Sequence, residues 1–104
     1  MKELKAGLTA TVSETVLYTN TASALGSGLL DVYATPAMVA LMEKAAVTAI
    51  QPFLAETEGS VGIKMNISHD SATLPGKVVS ATAELTAIDG RRLVFKVSAK
   101  DEYG

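Results

Sequence analysis

The sequence predicts an α+β domain in which an antiparallel sheet wraps around one long helix. Three observations point there: a helical stretch from Thr35 to Ile50 whose first half is apolar almost all round, period-two alternation on either side of it, and an Asp89-Gly90 tight-turn signal between the last two alternating runs. At 104 residues, with 48% hydrophobic and 19% charged content, the chain has an ordinary globular balance, and residues 1–104 read as one domain with a modest core.

The first strand is expected between Leu8 and Val16, where Leu8, Ala10, Val12 and Val16 alternate with Thr9, Thr11, Ser13 and Thr15. From Thr19 to Leu30 the chain is dominated by Thr, Ala, Ser and Gly and reads as a mobile connection. Its Gly26-Ser27-Gly28 lacks the spacing of a phosphate loop. Thr35-Pro36 reads as a capping hydroxyl followed by proline at the first helical position, and Pro52 ends or kinks the helix after Ile50. After a Glu58-Gly59 turn, Val61, Ile63, Met65, Ile67 and His69 alternate with polar or small residues, which predicts a second strand with the chain's only histidine on its apolar face. Beyond Pro75-Gly76, Val79, Ala81, Ala83, Leu85 and Ala87 form a third alternating run. The returning strand turns Leu93, Phe95, Val97 and Ala99 inward, and Arg91-Arg92 marks a solvated hairpin end.

Composition removes several function classes. A net charge of -2 and few aromatics supply neither the basic field nor the stacking platform of a nucleic-acid binder. With no cysteine and one histidine, neither a thiolate nucleophile nor a multi-histidine metal centre is expected. No stretch is long and apolar enough to span a bilayer, and the N-terminus lacks a signal-like apolar core, so a cytoplasmic protein without membrane partners is expected.

Glu43 stands out as a carboxylate within the apolar run 37–47. At helical spacing it shares a stripe with Pro36, Val39, Ala40, Ala46, Val47 and Ile50. An acid enclosed in such surroundings is suited to work as a general base or nucleophile, the alternative being a side chain that reaches the surface beside Lys44. His69 would come from the sheet layer packed on that helix, within reach of Glu43 if the apolar face of its strand covers the helix, the alternative being a strand-end residue that faces water.

The order of elements and several motifs resemble the hot-dog fold and the thioesterase-like family that includes fluoroacetyl-CoA thioesterases. The resemblance is carried by Ala34 through Glu43, by Gly59-Ser60-Val61-Gly62 leading to Ile67-Ser68-His69, by Ala72-Thr73-Leu74-Pro75-Gly76, and by Ala83-Glu84-Leu85 with Asp89 through Leu93. It implies a catalytic set of Thr35, Glu43 and His69, with Gly62 lining the same pocket. Leu29 and Tyr33 belong to the segment that would fold over the substrate. The specialised fluoroacetyl-CoA members carry an aromatic gate shortly before the threonine. Here that stretch reads Gly28-Leu29-Leu30-Asp31, so another short or small acyl group is expected. The family usually continues into one more strand beside the returning hairpin, so the chain is expected to be truncated at its C-terminus, with that final strand missing.

The activity so implied is hydrolysis of a small acyl-CoA, with coenzyme A entering as part of the substrate and no separate cofactor. Glu43 would serve as base or nucleophile, His69 would assist proton transfer, and Thr35 would orient thioester or water at a helix start whose free N–H groups face the oxyanion. Eight helical residues rise about 12 Å, so Thr35 and Glu43 should not touch. Either the substrate bridges them or two subunits share the site, and a homodimer is expected. The alternatives are a non-catalytic acyl-thioester binding module and a hot-dog hydratase.

Overall fold

The computed structural model describes residues 4–55 and 58–101. Strand β1 (Thr9–Thr15) forms where the β-branched alternation begins, and it pairs antiparallel with β2 (Val78–Asp89), placing Val12 opposite Ala81. β2 turns at Gly90, whose φ of 60° suits a residue without a Cβ, and returns as β3 (Arg92–Asp101). The sheet order is β1-β2-β3. One face is polar, with Thr11 Oγ1 2.8 Å from Thr82 Oγ1 and Ser13 Oγ 2.7 Å from Ser80 Oγ. The other face turns Val79, Ala81, Ala83 and Leu85 toward the long helix.

The stretch between β1 and that helix is more ordered than its composition suggests. A single 3-10 turn (Tyr18–Asn20) leads into α1 (Ala22–Leu25), where Thr21 caps by accepting from the Ala24 N–H, and Gly26 closes it at a φ of 74°. Local side-chain caps, rather than apolar periodicity, hold it.

Helix α2 (Thr35–Ile50) lies across the sheet, mainly on β1 and β2. Its buried residues are Met38, Leu41, Met42, Ala45, Ala49 and Ile50. Met38, Leu41, Met42 and Ala45 join Val16, Tyr33, Val79, Ala81 and Ala83 in one core cluster. The stripe expected inside is covered only in part: Pro36, Ala40, Glu43 and Val47 are exposed, Val39 and Ala46 are half-buried, and Ile50 alone is buried. A helix apolar on most of its circumference offers two sides to a sheet, and the broader residues, two methionines and a leucine, win the contact.

The strand expected from Val61 to His69 is not formed. Residues 58–70 have no regular secondary structure, and Val61 and Ile63 are 83% and 75% exposed. Alternation supplies a face but not a ladder partner, and among the described residues no strand lies between this segment and β3. A cleft of about 590 Å³ lies there instead, floored by Tyr33, Met38 and Met42 and walled by His69, Val97 and Ala99.

Candidate active site

Thr35 is the first residue of α2, and Ala34, not Thr35, occupies the capping position; no side chain caps this end, and Pro36 falls one residue inside. The expected capping role is thus corrected, and the geometry shows why. The hydroxyl of Thr35 turns away from the helix and stands 2.7 Å from Nδ1 of His69, a hydrogen-bond contact in which either atom can donate according to the ring tautomer. Both partners of this contact come from one chain.

Two turns further along the same helix flank, Glu43 meets Gly62, at the other end of the 58–70 arm. A Cβ placed on Gly62 would collide with Oε2 of Glu43 and lie 3.4 Å from its Cδ, so only glycine lets the arm pass this close to the carboxylate. The arm therefore runs back along α2, from Gly62 beside Glu43 to His69 beside Thr35, and one segment brings all four residues to one strip. Along the axis the two ends are separated by about 12 Å, and among the described residues no hydrogen bond or ion pair joins Glu43 to Thr35 or His69. The expected apolar enclosure of Glu43 is not present in the single chain, where its side chain is exposed. The sheet covers the opposite side of α2, and the arm at Gly62 touches the carboxylate without enclosing it.

The remaining candidates divide. Tyr33 is 2% exposed and lines the cleft beside His69. Leu29 is 95% exposed and stands outside the cleft. Arg91 and Arg92 are exposed at the hairpin end. Among the described residues, no group of three His, Cys, Asp or Glu side chains could hold a metal ion, and no helix is long and apolar enough to cross a membrane.

Sequence reasoning missed Glu14. It occupies an inward position of β1, in register with Ala10, Val12 and Val16, and its carboxylate accepts a hydrogen bond from the Tyr33 hydroxyl. The signal was available: an acid standing where the alternation calls for an apolar residue. Burial, followed by the hydrogen bond and charge of Glu14, pushes the Tyr33 phenol well above its ordinary value, so the phenol stays a neutral donor.

One long helix packed on an antiparallel sheet is the architecture of a hot-dog protein. A hot-dog-like protein from Thermanaerovibrio acidaminovorans shares the fold, with a TM-score of 0.85 at 24% identity over 95% of this chain and 73% of the other. The chain belongs to the family described as FlK, fluoroacetyl-CoA-specific thioesterase, which residues 16–104 match. The fluoroacetyl-CoA thioesterase of Streptantibioticus cattleyicolor is 49% identical over 71 residues, 68% of this chain and 51% of that protein. The matched stretch thus spans about half the length of that relative. A mutant of the fluoroacetyl-CoA-specific thioesterase FlK, solved in complex with fluoroacetate and CoA, superposes with a TM-score of 0.89 at 38% identity, covering 94% of this chain and 83% of the other.

Proposed function

We propose that the protein hydrolyses a short or small acyl-CoA thioester. The observation that carries this reading is the 2.7 Å contact between Thr35 Oγ1 and His69 Nδ1 at the start of α2. It supports an assignment in which Thr35 orients the thioester or the attacking water and His69 moves the proton. The Thr35 and Ala37 N–H groups, unused by the helical ladder, face the developing oxyanion. Glu43, held against Gly62, is the base or nucleophile.

Two subunits share the site in this proposal. The exposed Glu43 stripe and the exposed Val61 and Ile63 of the arm form an apolar surface that a second copy would cover, enclosing the carboxylate that one copy leaves in water. Leu29, far out in solvent on one copy, would meet substrate only through that assembly, whereas Tyr33 lines the cleft of one copy. The absence of an aromatic from residues 28–31 supports an acyl group other than fluoroacetyl. Release of free thiol from a panel of short acyl-CoAs tests the proposal. Turnover of at least one member is expected, and binding without thiol release across the panel would replace hydrolysis with a non-catalytic binding role.

A further inference from the structure

Tyr33 is where four parts of the molecule meet. Its N–H donates to the Thr73 carbonyl (2.8 Å), and the next N–H, of Ala34, donates to the Asn20 carbonyl (2.8 Å). Its hydroxyl donates to Glu14 on β1. Tyr33 lies two residues before Thr35, and Thr73 lies four residues after His69. The Tyr33–Thr73 bond therefore ties the arm carrying the hydroxyl to the arm carrying the imidazole, and Thr73 is itself held by donating from Oγ1 to Asp101 (3.0 Å). Without its phenolic bond, Tyr33 would be fixed only by backbone and packing, and a buried hydroxyl would lack its acceptor.

We propose that Tyr33 and Glu14 form a clamp that sets the Thr35–His69 distance, making both positioning residues for the hydrolysis proposed above, on which this inference rests. Neither touches the reacting atoms. The clamp acts by holding the segment ahead of α2 at one depth over the sheet, so that the Thr35 hydroxyl meets Nδ1 rather than passing it.

The chain has one histidine, so its ring resonances report on this contact alone. Ring nitrogen spectra and steady-state kinetics would be recorded for the 104-residue chain and for Tyr33→Phe, Glu14→Leu, Glu14→Gln and the Tyr33→Phe/Glu14→Leu pair. Tyr33→Phe and Glu14→Leu should each shift the Nδ1 resonance and lower kcat about tenfold with little change in KM, an effect on transition-state positioning rather than on binding. Glu14→Gln keeps an acceptor for the phenol and should restore both readouts. The double variant should be no worse than either single one, because both remove the same bond. Leu85→Val, a core truncation at the far end of β2, should lower the melting temperature and leave the resonance in place.

An unmoved Nδ1 resonance in folded Tyr33→Phe and Glu14→Leu would overturn the clamp. So would a resonance that shifts equally in Leu85→Val. Absence of thiol release by the unaltered chain would instead remove the hydrolase reading, while the resonances still decide the clamp.

Discussion

The two ends of the α2 flank are built differently. At the helix start, Thr35 and His69 are joined by a hydrogen bond within one chain, and the segments on either side of them are fastened by backbone bonds to Thr73 and Asn20. Two turns on, Glu43 is placed only by its close approach to Gly62, and its carboxylate has no enclosing wall. The first end is joined within one chain; the second, in the proposal above, is completed by a second copy. If two copies share the site as proposed, a small domain would keep its hydroxyl–imidazole pair in one chain and leave burial of the acid to association.

The contrast can be broken most decisively at the two ends themselves. His69→Ala and Glu43→Gln should each reduce turnover by at least about a hundredfold. If subunits share the site, mixing the two inactive variants should recover about a quarter of wild-type activity, since half of randomly formed dimers are mixed and each of these holds one intact site of two. No recovery would place all three groups in one copy. Gly62→Ala should cost about tenfold in kcat, because the carboxylate must move out of the way of the new methyl group.

Stability sharpens the same comparison. Leu41→Ala, in the covered face of α2, should destabilise the fold by about 2–5 kcal/mol, whereas Ile63→Ala in the exposed arm should leave a dilute, monomeric sample within about 0.5 kcal/mol of the wild type. Denaturant titration at low protein concentration separates the two. Smallest is a pH effect at Tyr33. Its phenol is raised above the ordinary 10.0 in the folded chain, so its contribution is fully present below pH 10 and is lost as the pH rises further, where the unfolded chain ionises and the folded one does not. The melting temperature should therefore fall more steeply above pH 10 in the wild type than in Tyr33→Phe.

Much of the architecture was legible because alternation is a local property. β1, β2, β3 and α2 lie where the apolar periods place them, and the Asp89-Gly90 turn closes the expected hairpin. What failed was whatever depends on a partner. The run from Val61 to His69 alternates as a strand should, yet a strand exists only when another edge meets it. The apolar surround of Glu43 was real in the sequence, but a helix greasy on nearly every side does not declare which side the sheet will take. The hydroxyl of Thr35 could serve a cap or an imidazole, and only the returning arm decides. Glu14 could have been suspected from its inward register in β1; its bond to Tyr33, 19 residues away, could not.

The irregularity in β2 has a practical consequence. Between Leu85 and Ala87 the pairing with β3 slips by one residue at Thr86, whose Oγ1 donates to the Val94 carbonyl. Past that slip Ala87, Ile88 and Val94 are exposed. The exposed Gly90-Arg91 tip is consequently a graft point: a fluorophore or affinity peptide inserted there would lie apart from the candidate site along α2.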